Sequence, residues 1–184
     1  SIDSDGNMLQ VGGFGILSGD AGNGYWIAEQ TFAAIYSDIC LKANETMMTE
    51  IFCAKVGISA TAEDYLPCVT KFEETEREQY CMYLTDTFFE AANKGDKAAL
   101  EITEKMAQAG ADCICAHLKM QNFREETVNV VLSGSMNVKM PNEIYLGLLK
   151  EKCENTSGRK LNFIKLTAAP VFGCINWILQ DYAK

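Results

Sequence analysis

The segment from residue 12 to residue 24 constrains this chain more than any other, because it holds six of the chain's 14 glycines. Glycine loses more backbone entropy on folding than other residues. Such a density is therefore costly unless the backbone needs unusual dihedral angles or must approach another group closely. From Tyr25 onwards, apolar residues recur every three or four positions and predict a helix to about Lys42, with Asn23 as its cap. The sequence thus predicts a glycine-rich loop that opens into a helix.

The residues before this loop predict a β-hairpin over residues 1–11. Asp5-Gly6-Asn7 is a tight-turn signal between the short segments Ser1–Ser4 and Met8–Val11, because glycine and asparagine tolerate positive φ. A domain that opens in the middle of a sheet is expected to be a fragment of a longer protein.

Residues 25–120 are predicted to form a large helical region. Beyond the first helix, caps and apolar periodicity predict a short helix over Thr46–Lys55, a second from Ser59 or Thr61 to Pro67, and long helices over Glu73–Asn93 and from Asp96 to about Met120. The only histidine, His117, falls in the last of these and is expected to be packed or half exposed rather than catalytic.

The remaining residues predict two strand–helix units. Val128–Leu132 is a β-branched run typical of a buried strand, and Ser133-Gly134-Ser135 follows at its carboxyl end, where open α/β sheets bind ligands. The other predicted elements are a helix from Pro141 to about Cys153, a polar turn over Asn155–Lys160, a strand over Leu161–Leu166 and a final helix through Tyr182.

Composition narrows the classes of partner. The net charge of −9 argues against a general nucleic-acid surface, which would need a basic stripe. The sequence has no stretch of 18 apolar residues, so no membrane span is predicted. Its first residues do not resemble a signal peptide. The eight cysteines contain no C-x-x-C pair, so we expect free thiols in a reducing cytoplasm and no metal site.

Several short motifs occur in the order found in one known family. They are Gly12-Gly13-Phe14-Gly15, Gly19-Asp20-Ala21-Gly22, Gly24-Tyr25-Trp26-Ile27, the helix ending at Gly95-Asp96, the strand ending Val131-Leu132-Ser133-Gly134-Ser135, and Pro170-x-x-Gly173. Together they resemble the signature of the N-acetylglucosamine kinases, part of the wider BadF/BadG/BcrA/BcrD ATPase family. The resemblance spans nearly the whole chain.

The resemblance implies an α/β fold of the ribonuclease H-like, actin-like ATPase type, with a mixed sheet flanked by helices and a large helical insertion. It implies ATP and Mg²⁺ as cofactors and an amino sugar as substrate. The implied sugar-binding residues are Gly13, Phe14, Gly15 and Asp20, and the implied nucleotide-binding residues are Gly134 and Ser135. The chemistry agrees, since a carboxylate accepts bonds from vicinal hydroxyls, an aromatic ring stacks on a pyranose, and glycines permit close backbone approach.

The sequence also departs from the family pattern. Ala21 stands where the family usually has glutamate, and Asn23 stands where it usually has serine. Phe14 replaces the commoner tryptophan, and Ser133 replaces a usual glycine. These differences leave the identity of the sugar open. The simpler interpretation of the glycine-rich loop is a helix-capping turn in which Asp20 only bonds the backbone.

The family's D-G-G-G-T phosphate loop, its G-T-G-S loop and its catalytic aspartate have no match in these 184 residues. The resemblance therefore implies a C-terminal ATPase or sugar-kinase lobe, with no catalytic residue of its own, that is inactive without its N-terminal lobe. Two alternatives stay open. One is an ATPase activator of a 2-hydroxyacyl-CoA dehydratase, which would bridge an iron–sulfur cluster across a homodimer; the other is a non-catalytic sugar-binding or dimerisation module.

Overall fold

The computed structural model describes residues 1–134, 143–166, 168–169 and 171–182. Within these ranges the elements, in chain order, are α1 (Gly24–Ile39), α2 (Met47–Val56), α3 (Ala62–Tyr65), α4 (Pro67–Thr70), α5 (Arg77–Asn93), α6 (Lys97–Met120), β1 (Thr127–Leu132), α7 (Ile144–Ser157), β2 (Lys160–Lys165) and α8 (Val171–Tyr182). A short 3-10 turn lies at Gly15–Ser18 and a π-helical turn at Lys71–Thr75.

Side-chain caps fix where the predicted helices begin. The Asn23 side chain accepts a hydrogen bond from the Trp26 amide at 2.9 Å, which confirms the predicted cap of α1. The Asp96 carboxylate accepts from the Ala99 amide at the start of α6, as predicted. Thr46 is the cap of α2 rather than its first residue, because its hydroxyl accepts from the Met48 amide.

Further helix boundaries differ from the predictions. α1 ends at Ile39 rather than at about Lys42. α5 begins at Arg77 rather than at Glu73, because the preceding turn is wound as a π-helix. α7 continues past Cys153 to Ser157 and ends only where Gly158 adopts a left-handed conformation with φ of 63°, the usual way for glycine to end a helix. The predicted polar turn is correspondingly shorter. Pro141, the predicted start of that helix, lies outside the described residues.

The described strands form a small parallel sheet. β1 and β2 pair in parallel, with Thr127 opposite Lys160 and Leu132 opposite Lys165. The predicted hairpin is present as a single antiparallel bridge between Ile2 and Met8, with Gly6 at the turn. The described residues therefore form an α/β arrangement of helices and a small parallel sheet. The ribonuclease H-like mixed sheet and the helical insertion stay predictions.

Helix α6 joins two hydrophobic clusters. Ile102 and Met106, in its first half, belong to a cluster formed with α1, α2 and α5, whereas Ala107 and Ala111 pack with α7 and β1. At Gly110, an added Cβ would lie 3.1 Å from Leu149 Cδ1, so α6 and α7 meet closely there. The glycine-rich loop and the two strand–helix units thus share one helix as their support.

Helix α8 exposes most of its large apolar side chains. The exposed side chains are those of Val171, Phe172, Ile175, Trp177, Ile178 and Leu179. Among the helices of the described residues, none is long and apolar enough to cross a membrane.

Candidate functional site

The side chain of Asp20 closes the glycine-rich loop, residues 12–24, upon itself. The Gly13 amide donates to Asp20 Oδ1 at 2.9 Å, and the Gly15 amide donates to Oδ2 at 2.6 Å. These bonds favour the ionised carboxylate, so they lower the pKa of Asp20, the bond from Gly13 most of all. The loop therefore presents a fixed negative charge at a partly exposed position.

Gly12 is required by the approach of this carboxylate. Its φ is +78°, a left-handed conformation that other residues rarely adopt, and an added Cβ would lie 2.9 Å from Asp20 Oδ1. Glycine at position 12 thus lets the aspartate reach the amides of Gly13 and Gly15.

Phe14 is the exposed side chain of this loop that suits a ring-shaped ligand. Its amide donates to Ser18 Oγ at 3.1 Å, which holds its backbone, while its side chain is 69% exposed. This aromatic side chain is thus open to solvent in the loop that also contains the Asp20 carboxylate. The structure brings four predicted residues into one loop: Gly13, Phe14, Gly15 and Asp20.

The bonds of Asp20 also match the simpler interpretation of a helix-capping turn. A carboxylate has about four lone-pair sites, and two of them receive the amides of Gly13 and Gly15. The Ser18 side chain and the Phe14 amide also lower the pKa of Asp20, so four groups of the loop itself interact with this carboxylate, as the simpler interpretation expects. The sugar-binding role stays a prediction.

The second predicted site lies at the carboxyl end of β1. Gly134 has φ of +92°, and an added Cβ there would meet no atom of the described residues within 4 Å. The strand end is held by the Leu166 amide, which donates to the Leu132 carbonyl at 2.9 Å. The described residues therefore leave space beside Gly134 on the side where a Cβ would lie. Ser135, the other predicted nucleotide-binding residue, lies outside the described residues.

Three sulfur-containing side chains lie beneath the glycine-rich loop. An added Cβ at Gly12 would lie 3.6 Å from Cys113 Sγ, one at Gly22 would lie 3.7 Å from Met106, and one at Gly24 would lie 3.9 Å from Cys81 Sγ. The sequence analysis did not predict that Cys81, Met106 and Cys113 would lie next to this loop. The signal available was the seven-residue spacing of Met106 and Cys113, which places both on one face of α6.

A cleft of about 580 Å³ runs along the second segment of the hairpin, and none of the described residues that line it belongs to the glycine-rich loop. Val11, Gln10 and His117 help to line it. The half-buried His117 ring lies within 2.6 Å of the Ser1 hydroxyl, which agrees with the expectation of a packed histidine. In the ranges that the structure describes, no group of three or more His, Cys, Asp or Glu residues could hold a metal ion.

Comparison with known proteins supports one assignment. A search of the curated proteins finds no significant match. The model of the BadF/BadG/BcrA/BcrD ATPase family matches residues 1–159, which include the glycine-rich loop, β1 and Gly134. Because this match covers most of the 184 residues, the chain belongs to the BadF/BadG/BcrA/BcrD ATPase family, whose chemistry is ATP hydrolysis or phosphoryl transfer.

Proposed function

We propose that this chain is the C-terminal lobe of an ATP-dependent amino-sugar kinase of that family. The sugar, N-acetylglucosamine, glucosamine or a relative, binds at the glycine-rich loop. ATP binds at the carboxyl end of β1, and its γ-phosphate is transferred to a sugar hydroxyl.

The observation that supports a sugar most directly is the arrangement around Asp20. Two amides hold the carboxylate in one orientation and keep it ionised, and Phe14 stands exposed in the same loop. A carboxylate already held in one orientation accepts a hydrogen bond from a sugar hydroxyl without a further ordering cost. In this role Gly13 and Gly15 position Asp20, and Phe14 covers the apolar face of the ring.

The residues at the end of β1 suit a nucleotide. Open space around Gly134 allows an adenosine to lie against the backbone, with Ser135 as the next contact. When bound, ATP with Mg²⁺ supplies the transferable phosphoryl group and neutralises its charge. The chain's own residues bind and orient the two substrates.

In this proposal the base for the acceptor hydroxyl belongs to a second lobe, outside these 184 residues. Phosphoryl transfer of this kind depends on positioning between two lobes. The exposed apolar side chains of α8 are consistent with a protein that packs against a further partner.

A thermal-shift series tests the two binding sites separately. The wild-type chain, an Asp20→Ala variant and a Gly134→Val variant are each heated with N-acetylglucosamine, with ADP and Mg²⁺, or with neither. Ligands that bind the folded state raise its melting temperature. We expect Asp20→Ala to lose only the sugar response and Gly134→Val only the nucleotide response. A wild-type chain that responds to nucleotide but to no amino sugar would contradict the kinase proposal and leave the family assignment standing.

A further inference from the structure

Three side chains of α5 and α6 lie next to glycines of this loop. An added Cβ would be in van der Waals range of Cys113 at Gly12, of Met106 at Gly22 and of Cys81 at Gly24. The Thr85 hydroxyl donates to the Cys81 carbonyl of its own helix at 2.6 Å and lies 3.4 Å from the Gly24 carbonyl. The loop is therefore supported at its beginning, near its end and at the start of α1.

The contact at Cys113 lies closest to the proposed sugar-binding atoms. A Cβ added at Gly12 would lie 2.9 Å from Asp20 Oδ1 and 3.6 Å from Cys113 Sγ, so the carboxylate and the thiol lie close to each other on the same side of Gly12. The next residue, Gly13, donates its amide to Asp20. A displacement of Gly12 by the thiol would therefore move the Gly13 amide and with it the carboxylate.

The environment of this thiol agrees with its position. Cys113 is half buried, and its pKa is raised by burial and then by the negative charge of Asp20. The carboxylate thus influences the thiol even though the two are not hydrogen-bonded to each other. Met106 is almost fully buried and supports Gly22 from the same face of α6, about 10 Å along the helix axis.

We propose that Cys113 is a positioning residue of the sugar site. The size of its side chain determines the position of Gly12 and so the orientation of Asp20, while Met106 and Cys81 support the far end of the loop. This inference rests on the proposed function. It adds that sugar binding at the loop makes the Cys113 thiol less accessible to solvent.

Alkylation of the folded protein tests this coupling. The chain is treated with iodoacetamide at pH 8, a reaction in which the thiolate sulfur bonds to the reagent's carbon and iodide leaves. Peptide mass spectrometry gives the rate at each cysteine. In this proposal a sugar bound at Asp20 covers the nearby thiol, so only the free protein reacts. With N-acetylglucosamine at ten times its Kd, about one molecule in eleven is free, and we expect Cys113 to react about tenfold more slowly. ADP should have no such effect.

Cys40 provides the matched control, since it is also half buried but lies at the end of α1, away from the loop. Its alkylation rate should not change with sugar. If calorimetry shows sugar binding while the ratio of the Cys113 and Cys40 rates is unchanged, the positioning role is wrong and the proposed function stands. If no amino sugar binds at all, the proposed function fails and this inference fails with it.

Two substitutions separate positioning from general stability. Cys113→Ser keeps the size of the side chain and should leave the sugar Kd within about threefold, whereas Cys113→Phe should raise it by about tenfold or more. Both should keep the ADP thermal shift, which reports a folded chain. An unchanged sugar Kd in Cys113→Phe would overturn the proposal. If Cys113→Phe does not fold, the alkylation experiment decides.

Discussion

At the scale of single residues, the function proposed here depends on one carboxylate. Asp20 accepts hydrogen bonds from the amides of Gly13 and Gly15, and these bonds would weaken if it were protonated. The pKa of Asp20 lies below its ordinary value because the Gly13 bond stabilises the charged form. The same bonds therefore order the loop and maintain its charge.

The stability that Asp20 contributes should depend on pH. A lowered pKa in the folded state means that its contribution is complete above the pKa of the unfolded chain and is lost as pH falls through the folded value. We expect the difference in urea midpoint between wild type and Asp20→Asn to be constant from about pH 8 to pH 5 and to shrink below about pH 4. The exposed Asp86→Asn serves as control, and an Asp20→Asn difference that stays constant to the lowest pH contradicts the account.

Gly12 offers a second test at this scale, with a matched control in Gly57. Their φ angles are +78° and +77°, but an added Cβ meets Asp20 only at Gly12 and meets nothing within 4 Å at Gly57. Alanine at either position should lose about 1–2 kcal/mol of unfolding free energy through backbone strain. Gly12→Ala should lose more, and it should also weaken sugar binding, whereas Gly57→Ala should not. Equal losses in both variants would show that the Asp20 contact has no effect.

Sequence could predict the loop but not the direction in which Asp20 points. The density of glycines indicated an unusual backbone, and five of the six glycines in the loop have positive φ, Gly12 among them. The partners of Asp20 depend on how the loop folds back over seven residues to Gly13. The thiol of Cys113, which lies next to Gly12, belongs to a helix about a hundred positions further along the chain. No local pattern encodes that contact.

At the scale of elements, α6 is the support for both proposed sites. Its first half packs with α1, α2 and α5, its second half packs with α7 and β1, and its Met106 and Cys113 underlie the glycine-rich loop. Its limits were predictable because Asp96 is a strong cap and the apolar spacing is regular. The π-helical turn before α5 was not, because the same residues satisfy an ordinary helical pattern.

The contact between α6 and α7 can be tested with two helical glycines. At Gly110 an added Cβ would lie 3.1 Å from Leu149 Cδ1, whereas at Gly147 it would meet nothing within 4 Å. Gly147→Ala should stabilise the chain by about 1 kcal/mol through helix propensity. Gly110→Ala should destabilise it by about 1 kcal/mol, because overpacking outweighs that gain. Urea denaturation measures both, and equal stabilisation by the two changes would mean that α6 and α7 are not closely packed.

At the scale of the whole molecule, the described residues carry both proposed binding segments on one α/β scaffold. The glycine-rich loop and the end of β1 each have a backbone suited to close approach, at Gly12 and at Gly134. Both segments lie within the match to the ATPase family. The proposed kinase needs a second lobe to bring a base to the acceptor hydroxyl.

We therefore expect the 184-residue chain alone to bind its ligands without turnover. Incubation with ATP, Mg²⁺ and N-acetylglucosamine should give no sugar phosphate by mass spectrometry, although calorimetry detects binding of both ligands. Closure of two lobes over ATP is what aligns the reacting groups. Phosphorylation of the sugar at an ordinary kinase rate of about 1 s⁻¹ or faster would show that these residues already contain the catalytic base.

The most direct test of the sugar site is an amide NMR titration of the isotopically labelled chain. N-acetylglucosamine should shift the amide signals of Gly13, Phe14 and Gly15, while ADP with Mg²⁺ should shift that of Gly134. In Asp20→Ala the sugar should no longer shift the loop signals, and the response to ADP should persist. Sugar-induced shifts that spare residues 12–24, or nucleotide-induced shifts centred on that loop, would contradict the assignment of the glycine-rich loop to an amino sugar.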